Sequence, residues 1–168
     1  IPYTVIPIQA LDEHIRAVFE AHAHPIVQGF TRENLHARIR GLLMMAESND
    51  TGALLISCGN ETEIALGYAT LYGDMCGGVS LIGDLSKLDV YRLARHVNAR
   101  HGEIIPEEAF ALTPSAELAA NQFDPFDYHV VAPIVGELVE RRRSPAELVR
   151  LFERHELDAE RFVPDSSG

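Results

Sequence analysis

Cysteine is scarce in this sequence. Its 168 residues hold two, Cys58 and Cys76, without the paired spacing of a zinc site or a disulfide framework. No apolar run is long enough to cross a bilayer. The pattern G-x-x-x-x-G-K-[ST] is absent, which excludes a Walker loop, and no nucleophile-elbow pattern supports a Ser-His-Asp hydrolase. Basic residues are outnumbered, 14 against 25, and the net charge of −11 disfavours non-specific binding to nucleic-acid phosphates. The only basic run, Arg141-Arg142-Arg143, reads as solvated helix surface. Of the histidines, His22 and His24 end a helix-like segment before Pro25 and read as surface rather than as a metal pair, and His36 and His129 have no useful partner spacing. There is no internal repeat or low-complexity block. A basic-then-apolar leader is missing, and Ile1-Pro2-Tyr3 starts as though within a domain, which predicts a cytoplasmic protein with further sequence upstream.

The composition, 46% apolar, suits one soluble domain with a core. Thr4–Ile8 alternates like a strand, and Leu11–Ala23 follows as a helix ended by Pro25. Thr31 is a candidate N-cap for a long helix ending near Ser48-Asn49-Asp50. Ala53–Cys58 is an apolar strand, broken by Gly59-Asn60 before a helix over Glu61–Tyr72. A glycine-rich loop, 73–78, leads to a short apolar run over Val79–Ile82 and a helix over Leu85–Val97. Residues 113–125 form an irregular loop. Helices are expected over Val130–Arg142 and Ala146–Glu156, the second capped by Ser144 with Pro145 at its first position. Strands alternating with helices predict an α/β fold with a parallel sheet covered on both faces.

In open α/β sheets ligands bind beyond the carboxyl ends of strands, so the polar groups after Cys58 are the first candidates. Glu63, Gly67, Thr70 and Asp74 recur at spacings of four, three and four, one face of a helix continuing to Tyr72 and beyond. Each has a plainer reading. Glu63 can complete a capping box with Asn60, Gly67 can serve helix packing, and Asp74 can be a turn residue. On the long helix Leu35, Ile39, Leu42 and Ala46 form the apolar stripe, with Asn34, Arg38, Gly41 and Met45 beside it. Arg38 thus flanks the core and calls for an anionic partner, a structural carboxylate or a phosphate, whereas Arg40 points to water. Lys87 stands in the first turn of a helix, where phosphate is welcome, although alone it reads as a surface residue. Ser115 reads alone as a cap, and Cys58 as a small residue buried at a strand end.

The segment Gly59–Met75, GNETEIALGYATLYGDM, closely resembles the signature of glutamine-dependent NAD synthetases, in their ammonia-using synthetase domain. Three further stretches resemble the same family in order: Glu33–Gly41, Val90–Arg95, and Pro114–Leu118 with Asn121-Gln122. The resemblance implies conversion of deamido-NAD to NAD, by ATP-dependent adenylation of the nicotinate carboxylate and amidation with ammonia supplied by a separate glutaminase domain. It implies Cys58, Lys87 and Ser115 near ATP, and Asn34, Arg38, Glu63 and Asp74 near deamido-NAD in a site at a subunit interface of a homodimer or larger assembly. Glu63 would also hold Mg²⁺, a hard cation that bridges phosphate oxygens. No protein nucleophile, and so no catalytic residue of that kind, is required.

The chain departs from the family in places. It contains no glycine-rich S-G-G-x-D-S loop and no basic C-terminal segment; Cys58 stands where relatives usually place threonine, and Ala119-Ala120 replace an arginine-proline pair. The expectation is a fragment of a synthetase, inactive alone. Its predicted fold is a partial Rossmann-like parallel sheet, similar to the adenine nucleotide alpha hydrolases, over residues 1–125, with helices over 126–163 and a poorly ordered tail at 164–168. Two other readings stay open: a structural or dimerising module using the Asn34–Met45 stripe, and another adenylate-forming ATP pyrophosphatase.

Overall fold

The computed structural model describes residues 3–26, 29–118 and 121–157. The expected tail at 164–168 and the pair Ala119-Ala120 lie outside them. In chain order the elements are α1 (Gln9–Ala21), α2 (Phe30–Thr51), β1 (Ile56–Ser57), α3 (Glu61–Leu66), β2 (Val79–Ser80), α4 (Lys87–His101), α5 (Glu108–Ala111), α6 (Tyr128–Val139) and α7 (Pro145–Glu153). The fold is helix-rich with one small parallel sheet, in which Ile56 pairs with Val79 and Ser57 with Ser80. Two parallel strands cannot be joined by a tight hairpin, and here 21 intervening residues, 58–78, include α3. Among the described residues no helix is long and apolar enough to cross a membrane.

The chain divides into two compact units. The first comprises Ile1–Gly59, Ala69–Leu81 and Glu117–Gln122. Its α2 buries Ala37, Ile39 and Gly41. A Cβ added to Gly41 would lie 2.7 Å from the Tyr72 carbonyl and 3.0 Å from both the Gly73 carbonyl and Cys76 Sγ, so this glycine lets the 72–76 turn sit directly on the helix. Leu42, expected in the apolar stripe, is 64% exposed. The buried side of α2 is rotated toward Ala37 and Gly41 because the turn packs there. An ionic knot ties α1 to α2: Asp12, 2% exposed, meets Arg16 at 3.1 Å, Arg32 at 3.4 Å and His36 at 3.3 Å.

The second unit comprises Asn60–Tyr68, Ile82–Ala116 and Phe123–Gly168. Here α6 buries Tyr128, Ala132, Val135 and Glu137. Buried Glu137 is clasped by Arg141 at 3.0 Å and Arg143 at 2.6 Å. Two arginines of the basic run therefore neutralise a buried carboxylate; the run lies beyond α6, which ends at Val139, rather than on a helix, while Arg141 and Arg142 are exposed as expected.

Other expectations change for local reasons. Thr4–Ile8 forms no strand: a strand needs a hydrogen-bonding neighbour, and the sheet holds only β1 and β2 among the described residues. The long helix starts at Phe30 behind Gly29, which places Thr31 inside the first turn rather than at the N-cap. The apolar strand shortens from Ala53–Cys58 to Ile56–Ser57. The helix expected to reach Tyr72 stops at Leu66, where Gly67 takes a left-handed conformation, φ 69°. A glycine adopts this cap without the penalty a Cβ carries. Capping by Ser144 and the irregular backbone over 113–118 and 121–125 match expectation, whereas the helix expected from Leu85 starts at Lys87 behind a Ser86 cap.

Candidate functional site

In the second unit two helix N-termini bring together an acid and a base. Asn60 caps α3, its Oδ1 accepting from the Glu63 N–H at 3.1 Å, while Glu63 Oε2 accepts from the Asn60 N–H at 3.2 Å. The capping box is thus real, yet it occupies only one carboxylate oxygen. The other, Oε1, accepts from Lys87 Nζ at 3.0 Å, and both side chains are 20% exposed. Lys87 is the first residue of α4, behind the Ser86 cap, and its backbone N–H donates to Thr62 Oγ1 at 3.1 Å. Thr62 is fully buried, so the start of α4 is pinned to the start of α3. Lys87 is also the chain's only lysine, the rest of its fixed positive charge being arginine. A compact ammonium with rotatable donors differs from a rigid guanidinium fork, so the exception falls where a point charge matters.

Tyr128 completes this cluster. Its ring centroid lies 5.1 Å from Lys87 Nζ, and its hydroxyl donates to Asp124 Oδ2 at 2.7 Å and stands 3.5 Å from Glu63 Oε1. Burial first, then the Asp124 hydrogen bond and the charge of Glu63, push its ionisation well above the usual phenol range, which keeps it a donor. Asp124 Oδ1 is buried without a hydrogen-bond partner among the described residues. Nearby Glu61 is buried at 9% exposure, and burial followed by the charges of Glu140, Asp89 and Asp84 raises its carboxyl above the usual range.

In the first unit a second group forms on α2 and the following turn. Thr70 Oγ1 donates to Asn34 Oδ1 at 2.6 Å, and the Thr70 N–H donates to Asp74 Oδ1 at 2.7 Å. Arg38, one turn beyond Asn34, donates from Nε to the Leu71 carbonyl at 3.1 Å. Asn34, Arg38 and Asp74 are thereby collected around residues 70–74. Arg38 is exposed, contrary to its expected half-buried place, and the partner it shows is a carbonyl. Arg40 behaves alike, donating to the Glu117 carbonyl at 3.1 Å, because both side chains lie along backbone that turns across α2. Since α3 ends at Leu66, Glu63 shares no helical face with Thr70 and Asp74. Cys58 is exposed, in place of the buried position expected, since β1 ends at Ser57. Ser115 lies half-buried in the second unit, in the irregular stretch after α5.

The family model described as NAD synthase matches residues 1–163. The chain belongs to the NAD synthase family. It is 44% identical over 148 residues to the glutamine-dependent NAD(+) synthetase of a Synechocystis strain, an alignment covering 83% of this chain and 26% of that protein. The Thermotoga maritima synthetase of the same name is 44% identical over 140 residues, covering 81% and 24%. The chain thus spans about a quarter of the length of these relatives. Among solved structures, the glutamine-dependent NAD+ synthetase of Acinetobacter baumannii in complex with adenosine diphosphate superposes with a TM-score of 0.57 at 26% identity, covering 96% of this chain and 31% of that one. The NMN synthetase of Francisella tularensis, at 22% identity, shares the fold, with a TM-score of 0.69 over 100% of this chain and 67% of that one.

For a member of the NAD synthase family, magnesium is the metal to test against this geometry. Among the described residues no three His, Cys, Asp or Glu side chains converge on one point, so no all-protein cage exists. Mg²⁺ does not need one, because it commonly takes one or two carboxylates and completes its shell with phosphates and water. Glu63 Oε1 and the unpartnered Asp124 Oδ1, both carboxylates that approach the Tyr128 hydroxyl, fit that description. Tyr128 and Asp124 are absent from the sequence-based candidates. A signal was present: Phe123, Phe126 and Tyr128 place three aromatics within six residues of a chain that is 7% aromatic.

Proposed function

We propose that this chain contributes part of the synthetase site of an NAD synthetase, converting deamido-NAD to NAD. In this reading the nicotinate carboxylate attacks the α-phosphate of ATP, giving an adenylate and pyrophosphate, and ammonia then displaces AMP to leave the amide. The observation that carries it is the pairing of Glu63 with Lys87 at 3.0 Å, each at a helix start whose N–H dipoles favour anions. Lys87 neutralises phosphate charge, while Glu63 and Asp124 would hold Mg²⁺, which when bound supplies charge neutralisation on the phosphate oxygens. The ion pair keeps both partners satisfied until ligand arrives, since either charge alone would be costly at this depth. With ligand bound, Lys87 would pair with phosphate and Glu63 would be released to hold the metal. Cys58 and Ser115 belong to the ATP side of the reading, and Asn34, Arg38 and Asp74, gathered around the 70–74 turn, to the dinucleotide side.

This reading makes residues 1–125 the second half of a Rossmann-like nucleotide-binding domain and 126–163 its C-terminal helices, in a cytoplasmic homo-oligomer fed with ammonia by a glutaminase domain. The ADP complex of the Acinetobacter baumannii relative supports the nucleotide. The competing dimer-module reading loses one of its supports, because Gly41 is covered by residues 72–76 of its own chain. Calorimetry of the 168-residue chain with ATP and Mg²⁺, paired with an assay of AMP release from ATP, deamido-NAD and ammonia, tests the proposal. Saturable ATP binding without appreciable AMP release is expected, for the chain contains no S-G-G-x-D-S loop. Absence of ATP binding would defeat the nucleotide reading, and brisk turnover would defeat the half-site.

A further inference from the structure

Tyr128 stands where three interactions meet. Its ring lies under the ammonium of Lys87, its hydroxyl is fixed by Asp124, and Phe126 meets it edge-on at 5.1 Å and 83°. Phe126 in turn meets Tyr68 edge-on at 5.2 Å, so the tyrosine ring is braced by a row of aromatics and is only 6% exposed. Lysine is the opposite kind of side chain, a charge on a long flexible stem. The one ion pair it makes among the described residues is to Glu63, the same carboxylate a metal would draw away. Without another hold, Lys87 would swing free at the moment its charge is needed.

We propose that Tyr128 is a positioning residue whose ring seats the ammonium of Lys87 independently of Glu63, so that an incoming polyphosphate meets the chain's only lysine already in place. The quadrupole of the ring face supplies the attraction, and burial of the ring strengthens it. Edge-on packing against Phe126 and burial hold the ring under the cation, with the Asp124 hydrogen bond as an additional brace. This inference deepens the phosphate reading and takes the identity of the anion from it.

The single lysine makes the test direct. Lysine-selective ¹³C and ¹⁵N labelling gives one side-chain signal set, and ε-methylene protons above an aromatic face resonate upfield of their free values. With no ligand present, Glu63→Gln is expected to retain that displacement, and Tyr128→Phe likewise. Tyr128→Leu should abolish it. Tripolyphosphate with Mg²⁺ should bind Tyr128→Leu about 2- to 30-fold more weakly than the unaltered chain and Tyr128→Phe within about twofold of it. Collapse of the displacement in Glu63→Gln alone, or its survival in Tyr128→Leu, overturns the proposal. The Glu63→Gln result decides the matter without touching the buried ring, so poor folding of Tyr128→Leu leaves the test intact. If tripolyphosphate fails to bind while the displacement behaves as stated, the phosphate reading falls and the seat for Lys87 stands.

Discussion

Lys87→Met is expected to weaken ATP binding by about 10- to 150-fold, the range for loss of a hydrogen bond to a charged group. The same change should tighten the binding of Mg²⁺ offered alone. Opposite signs follow from the ion pair itself. Lys87 Nζ holds Glu63 Oε1 at 3.0 Å, so in the resting chain each ligand competes with a partner already present. Removing the lysine abolishes the phosphate's partner and frees the metal's. Lys87→Arg should restore ATP binding only in part, because a planar guanidinium is larger and favours forked contacts over a compact charge. Calorimetry with each ligand separately reads both effects. A variant that loses both affinities together would reveal general damage to the fold, and the exchange account would then be wrong.

Asp12→Ala is expected to cost about 3 kcal/mol of unfolding free energy, the low end for breaking a buried ion pair by removing one partner. The carboxylate is 3% exposed, but Arg16 and Arg32 are 31% and 33% exposed and retain part of their hydration, which argues against a larger figure. Loss of the knot would also leave His36 Nε2 without its acidic partner, while Nδ1 stays 3.3 Å from the Leu118 carbonyl. Burial raises the Asp12 pKa, but the Arg16 hydrogen bond and the charges of Arg16, His36 and Arg32 outweigh it, and the net effect is a lowered value. A carboxyl depressed in the folded state stabilises above its unfolded pKa and loses that contribution as pH falls through the folded one. The gap between the unaltered chain and Asp12→Ala should therefore be full near neutrality and narrow at acid pH. Urea titrations at several pH values measure it; a gap under about 0.5 kcal/mol at neutral pH, within the range of ordinary surface changes, would contradict the assignment.

Local rules made much of the architecture readable. Ser144 caps its helix, Pro145 takes the first position after that cap, and Lys87 occupies the first turn of its own helix, since each depends on neighbours within a few residues. The capping-box role of Glu63 was readable because Asn60 is three residues away, whereas its pairing with Lys87 was not, because the lysine stands 24 residues on. What failed depended on distant sequence or on one backbone choice. Helical periodicity carries on through Gly67 toward Tyr72, and only the left-handed turn at that glycine reveals the stop. Alternation over Thr4–Ile8 describes a strand only if another strand is present to pair with it. The pairing of the arginine run was hidden although Glu137 is close in sequence, because that carboxylate is buried by the packing of α6 and Arg143 reaches it only once the helix has ended at Val139. Tyr128 was hidden as well: its value lies in Lys87 and Asp124, which are 41 and four residues away along the chain.

The most direct test of the central claim, that the Glu63–Lys87 pair opens to accept a metal-bound polyphosphate, is to follow the lone lysine's ¹⁵Nζ and ¹³Cε signals during an ATP titration with and without Mg²⁺. Saturable movement that requires Mg²⁺ in the unaltered chain, and no longer requires it in Glu63→Gln, is the predicted result. Lysine signals that stay fixed while ATP demonstrably binds would place the nucleotide elsewhere and contradict the account.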